Sequence, residues 1–223
     1  MTDGRTALVA GATGLVGGHL VRHLTDGDAY AKVTTVARRP LAGVTSPKLD
    51  GIIADFEKLD VSLTGIAADD AFCALGTTIG KAGSQAAFRK VDHDYILSFA
   101  RAAKATGAKQ FMLVSSMGAD PSSSIFYSRV KGETEQAVAA VGFETLHIFR
   151  PGLILGERTE RRTLEGLGTG IAPFLNPLML GPARPYRSIP ADIIARAMRG
   201  AALSGLTGRH VHTYDAMNRL AGL

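Results

Sequence analysis

Tyr127 and Lys131 stand four residues apart in a stretch with helical periodicity, so both side chains leave one helix face and converge on one ligand. A phenol with an ordinary pKa near 10 exchanges protons poorly at neutral pH unless a cation steadies its phenolate, and a lysine one turn on supplies that charge. Upstream, Ser115 and Ser116 follow the apolar run 111–114, whose exit a parallel sheet turns toward its ligand-binding edge. A serine hydroxyl there orients a carbonyl oxygen beside the tyrosine. The expected end of the strand favours Ser116, with Ser115 as the alternative.

The second chemistry-bearing run is Gly11, Ala12, Thr13, Gly14, Leu15, Val16 and Gly17, set between a strand-like run and an amphipathic segment. Glycine is wanted three times: to turn sharply, to let a diphosphate approach the backbone, and to let helix pack on strand. The free N–H groups and positive end of the helix then hold the phosphates, which makes this a dinucleotide loop. Its spacing is GxxGxxG, not the GxGxxG of ordinary dehydrogenases. Where the second strand ends, and where a carboxylate would grip the ribose hydroxyls of NAD, the chain has Arg38 and Arg39. A guanidinium pair favours a 2′-phosphate, so the expected cofactor is NADP(H). Asp55, after the third strand, is placed to meet the adenine amino group. Leu75, Gly76, Thr77 and Thr78, after the fourth, approach the ribose and phosphates.

These residues need a scaffold of alternating strand and helix. Strands are expected at 6–10, 33–37, 52–54, 71–75, 111–114 and 145–149, and helices at 15–24, 125–141 and 191–204. Phe88, Val91, Tyr95, Phe99 and Ala102 mark one apolar face of a further long helix ending near Gly107. Such strands cannot be joined by hairpins, so the fold class is α/β, a doubly wound parallel sheet of the Rossmann type. The 223 residues suit one NAD(P)-binding domain over 1–223, with 153–190 as a proline-punctuated, substrate-side cap. Leu164, Leu167, Ile171, Phe174, Leu175, Leu178 and Met179 make part of that cap apolar.

Composition narrows the function class. The net charge of +5 arises wholly in the last third: residues 1–149 carry fifteen Lys and Arg against fifteen acids, and 150–223 carry ten against five. Basic residues not interleaved with aromatics do not read as a nucleic-acid surface. No apolar run approaches the roughly 20 residues that span a bilayer, and the polar N-terminus is unlike a signal peptide, so a cytoplasmic protein is expected. Cys73, the lone cysteine, sits in an apolar run as core filling. His19 with His23, and His210 with His212, lack the further ligands of a metal site, so no metal is expected.

Taken together, the glycine loop, the segment 75–120, the helix YSRVKGETE (127–135) and the exit FRPGLILGER (149–158) resemble the atypical, extended-like short-chain dehydrogenase/reductases. The likeness is to the Tat-interacting-protein, or CC3-like, subfamily, and runs from Ala7 to about Arg199. It implies NADPH bound through Gly11, Thr13, Gly14, Leu15, Val16, Gly17 and the Arg38–Arg39 pair. It also implies a Ser116, Tyr127, Lys131 triad, with Lys131 touching the cofactor, and a nicotinamide contact near Pro151 and Leu153. One departure is Asp92, where many relatives have an asparagine that helps hold a proton-relay water. The function expected is hydride transfer between NADPH and a small-molecule carbonyl or alcohol, by a monomer or homodimer. The alternative is a non-catalytic NADP(H)-binding regulatory protein with a protein partner, a role known in the subfamily.

Overall fold

A computed structural model of the chain describes residues 4–156 and 181–223. Apolar and β-branched runs form β1 (Arg5–Ala10), β2 (Tyr30–Ala37), β3 (Leu49–Ile53), β4 (Asp70–Cys73), β5 (Gln110–Val114) and β6 (Thr145–Phe149). A short ribbon of β7 (Ile154–Leu155) and β8 (Ile189–Pro190) follows, then β9 (Gly208–His212). The seven-stranded sheet runs β3-β2-β1-β4-β5-β6-β9 with every neighbour parallel. Strand order reverses between β1 and β4. In open α/β sheets, ligands bind in the crevice outside the strand ends at such a point.

Helices cover both faces, as alternation of strand and helix requires. On one side α1 (Leu15–Asp26) and, near the C-terminus, two further helices bury Leu20, Leu24, Ile194, Met198 and Met217 against Val9, Val33, Met112 and Phe149. On the other lie α2 (Leu59–Ser62), α3 (Ile79–Ala82), α4 (Gln85–Arg89), α5 (Tyr95–Ala105) and α6 (Phe126–Ala139). Of these, α2, α5 and α6 close over Leu8, Val36, Phe111 and Ile148 with Leu59, Phe99 and Val138. The two C-terminal helices are α7 (Ala191–Ala202) and α8 (Tyr214–Leu220). Each wholly buried Leu or Phe contributes roughly 1.5–3 kcal/mol relative to an exposed one.

Strand β2 begins three residues before its expected start and β4 ends two before its expected end. The structure departs further from the sequence reading at the long helix, at β3 and past the last expected helix. The single long helix expected from Phe88 to Gly107 is instead α4 and α5 joined by a π-helical turn, Lys90–Asp94. An inserted residue at such a turn re-aims side chains, and these turns recur at functional sites. Thr134 Oγ1 sits 2.8 Å from the Asp92 carbonyl oxygen and pins the turn to α6. Second, β3 begins at Leu49, not Ile52; its residues are half-buried or exposed, so pairing with β2, not an apolar pattern, defines it. Third, β9 and α8 follow the last helix expected. The edge strand GRHVH has only its final residue buried and carries no apolar signal. The cap residues 157–180, including Leu164 to Met179, lie outside the described residues.

His147 on β6 and His210 and His212 on β9 stack on one face of the sheet. His147 Nδ1 and His212 Nε2 are 2.9 Å apart. The rings are layered, not convergent, and among the described residues no three His, Cys, Asp or Glu are arranged to hold a metal ion. Burial, then the neighbouring histidines, push His147 and His212 down to about 4. Unfolded histidines titrate near 6.5, so this stabilisation is complete above that pH and is lost as pH falls toward 4. The loss is expected to reach a few kcal/mol on the order of the linkage between the two pKa values. Urea midpoints at neutral and acid pH should therefore converge in a His147→Gln, His212→Gln variant. An undiminished gap would assign the acid loss to other groups.

Candidate functional site

All the chemistry-bearing loops leave the carboxyl ends of the strands. Gly11, past β1, has φ +88, and a Cβ there would lie 2.5 Å from the carbonyl of Ala74, past β4. A Cβ on Gly17 would lie 2.1 Å from the Gly11 carbonyl oxygen. Two glycines thus compress the loop between strand, neighbouring loop and helix. Gly14 caps α1 with extended backbone, and its N–H donates to the Gly11 carbonyl over 2.9 Å. No side chain caps the helix and no acid lies in its first turn. Thr13 and Gly14 are exposed, Leu15 is half-buried, and Val16 and Gly17 are buried. A cradle that two Cβ atoms would fill, in front of an uncapped helix start, fits a diphosphate.

Arg38 and Arg39 follow β2, both exposed, with no carboxylate partner among the described residues. Asp55 is exposed past β3, where its Oδ1 accepts the Glu57 N–H at 3.0 Å. Past β4, Leu75 packs on the core, Gly76 is exposed and the Thr78 hydroxyl caps α3 by accepting from Lys81 N. Past β6, the buried Pro151 accepts the Met117 N–H at 2.9 Å, and Leu153 is 38% exposed. These residues share one sheet edge with the glycine loop.

Tyr127 lies in the first turn of α6, half-buried, its ring 5.5 Å from that of Phe88. One turn on, Lys131 is buried and its Nζ stands 2.7 Å from Asp92 Oδ1. Asp92 is wholly buried by the π turn, and its Oδ2 accepts the Thr77 N–H at 2.8 Å. The ammonium approaches Oδ1 off the hydrogen-bonding direction, so the contact is an ion pair above all. Burial pulls the Lys131 pKa down, but Asp92 foremost, then Tyr127, outweigh it and leave the ammonium above the ordinary lysine range. Cys73, buried behind the pair, is pushed up to about 12 by burial and is a neutral thiol.

The two serines separate cleanly. Ser115 Oγ donates to Glu135 Oε1 at 2.6 Å in the interior, and Arg150 grips the same carboxylate through Nε at 2.9 Å and Nη2 at 2.5 Å. Ser116 Oγ meets only the Met117 carbonyl, at 3.2 Å, among the described residues. Ser115 therefore belongs to a fork tying the exits of β5 and β6 to α6, and Ser116 stands outside that fork. The sequence reading did not single out Glu135 and Arg150. Their signal was there: Glu135 is one turn beyond Lys131, and Arg150 directly precedes Pro151.

Known proteins resemble this chain in sequence and in fold. The sequence matches a family described as NAD(P)H-binding over residues 11–168. It is 38% identical over 208 residues to Protein HTATIP2 of Rattus norvegicus, covering 92% of this chain and 84% of that protein. It is 37% identical over 204 residues to "Protein fmp52, mitochondrial" of Aspergillus niger, covering 89% and 87%. A solved UDP-N-acetylglucosamine 4-epimerase from Methanobrevibacter ruminantium M1 matches with TM-score 0.69 at 18% identity, over 98% of this chain and 80% of that one. That last likeness is one of fold alone.

Proposed function

This chain belongs to the NAD(P)H-binding family, with HTATIP2 and Fmp52 proteins among its relatives, and from that premise we propose that it is an NADP(H)-dependent oxidoreductase of the short-chain dehydrogenase type. The observation that supports it most is the meeting of Lys131, one turn beyond Tyr127 on α6, with the Gly76–Thr77 loop: a Cβ on Gly76 would stand 3.9 Å from Lys131 Nζ. When bound, the nicotinamide supplies or takes a hydride. Ser116 donates a hydrogen bond to the oxygen of a carbonyl or alcohol substrate. Tyr127 exchanges the proton on that oxygen. Gly11, Thr13, Gly14, Leu15, Val16 and Gly17 hold the diphosphate, and Pro151 and Leu153 border the nicotinamide end. A cofactor-binding regulatory protein without turnover is the second reading, favoured by the Lys131 charge being already paired with Asp92.

Arg38 and Arg39, exposed and without acidic partners among the described residues, support NADP(H) over NAD(H). Only a ligand that binds the folded chain raises its stability, by about 2.7 kcal/mol at a hundredfold excess over Kd. The thermal midpoint is expected to rise with NADPH and much less with NADH, and the Arg38→Ala, Arg39→Ala variant should lose the difference. Equal responses of the wild type would make the arginines plain surface charge. NADPH consumption across a panel of aldehydes and ketones separates the two readings.

A further inference from the structure

We infer that the carbonyl or alcohol taken by this site is uncharged and apolar, its hydrocarbon part lying along Ile125, Leu153 and Tyr186, which names a substrate class for the oxidoreductase reading and rests on it. Three separate segments bring these side chains to one turn. That turn, Ser116 to Asp120, follows β5 and is bonded on both sides: the Met117 N–H donates to the Pro151 carbonyl at 2.9 Å, and the Asp120 N–H to the Ser128 carbonyl at 3.0 Å. On the α6 side Ile125 stands two residues before Tyr127 and is 65% exposed. On the β6 side Leu153 is 38% exposed, and its carbonyl accepts the Ile189 N–H at 2.9 Å. Tyr186, 54% exposed, lies on that same side: a Cβ on Gly152 would stand 2.5 Å from its carbonyl oxygen.

The cations beside this rim are already engaged. Arg150 grips Glu135, and Arg129 Nη1 donates to the carbonyls of Ser123 and Ser124 at 2.8 and 3.2 Å. Arg184 Nε stands 2.8 Å from Asp215 Oδ1, the Arg187 guanidinium lies over the Tyr214 ring at 5.7 Å, and Lys131 is paired with Asp92. Asp120, exposed and accepting from Ser122, adds a carboxylate to the turn itself. An anionic substrate would therefore meet no uncommitted charge among these cations and would have Asp120 against it. Enclosing a charge without a partner costs far more than an apolar wall returns. A neutral hydrocarbon chain has the opposite balance, since each part of it shielded by Ile125, Leu153 or Tyr186 removes apolar surface from water on both sides.

Ligand sites combine apolar walls with a few placed polar groups. Here Ser116 and Tyr127 take the substrate oxygen, and the rest of the molecule runs outward between Ile125 on one side and Leu153 with Tyr186 on the other. In the reducing direction the carbonyl carbon gains the hydride that NADPH supplies, the C=O π pair moves to oxygen, and that oxygen takes the Tyr127 proton. NADPH is oxidised to NADP⁺, the carbonyl is reduced to an alcohol, and water reprotonates the phenolate. The oxidising direction is the reverse, and the apolar rim serves both.

The test is titration calorimetry of the full chain, with and without NADPH, against straight-chain primary alcohols from butanol to decanol. Affinity should rise by about two- to fourfold per added methylene, the upper figure being that of a fully buried one. Glycerol phosphate, a charged alcohol, should bind more weakly than any of them. Ile125→Glu combined with Tyr186→Glu changes two exposed side chains, so the fold and the thermal shift with NADPH should be kept while the dependence on chain length flattens. Affinities independent of chain length, an undiminished dependence in the variant, or tighter binding of glycerol phosphate overturns the proposal. Binding that follows chain length without NADPH-dependent turnover of the corresponding aldehydes would support the apolar rim and overturn only the oxidoreductase reading. Turnover of those aldehydes with no dependence of binding on chain length would do the reverse.

Discussion

Tyr127→Phe is expected to lower NADPH-dependent carbonyl reduction by about 10²–10⁴-fold, the range over which a positioned general acid contributes. The substitution removes one hydroxyl. The ring that packs on Phe88 at 5.5 Å is kept, and the Lys131–Asp92 pair one turn along the helix does not depend on that hydroxyl. Thermal stability and the midpoint shift with NADPH should therefore match the wild type. The loss should fall on kcat and on kcat/KM alike, because the proton is passed only in the transition state. A variant that turned over at the wild-type rate would remove Tyr127 as the proton donor. One that lost NADPH binding as well would point to a disturbed fold.

The parts of this site that the sequence exposes are those carried by local spacing. Gly11, Gly14 and Gly17 read as a phosphate loop because their order between a strand and a helix leaves little else for them to do. Tyr127 and Lys131 read as a pair because four residues bring side chains to one helix face. Partners contributed by distant elements leave no such trace. Asp92 reaches Lys131 across thirty-nine positions, and only because a π turn interrupts the apolar stripe from Phe88 to Ala102. A periodicity argument runs straight through that interruption, since the flanking helices keep the apolar face on either side. The same holds for Ser115: nothing local separates it from Ser116, and its bond to Glu135, which Arg150 also grips, comes from α6 and the exit of β6.

Burial accounts for the rest. Strands β1, β4, β5 and β6 are buried along most of their length and declare themselves by apolar runs. The outer strands β3 and β9 expose about half or more of their residues, and their identity comes from pairing with β2 and β6. Edge strands are held by one neighbour only, so the sequence has less reason to mark them.

Gly17→Ala is expected to weaken NADPH binding by about 10²-fold or more, the scale of a displacement near 1 Å at a precisely held site. The added methyl would stand 2.1 Å from the Gly11 carbonyl oxygen, 2.7 Å from its carbon and 3.0 Å from Ala12 Cα. All three are backbone atoms, so no side chain can swing aside. Gly11 has no room to retreat, because Ala74 already lies against its other face. Helix α1 is fixed in turn by Leu20 and Leu24 in the core it shares with α7. The gain in helix propensity from glycine to alanine, about 1 kcal/mol, opposes an overpacking cost of about 1–3 kcal/mol, so the fold survives with lowered stability. Gly18→Ala is the internal control. Its methyl would meet only the Ala12 carbonyl, at an ordinary 3.6 Å, and should leave both stability and binding near wild type. Titration of both variants with NADPH measures the contrast. Equal affinities would show that the first turn of α1 does not hold the cofactor's diphosphate.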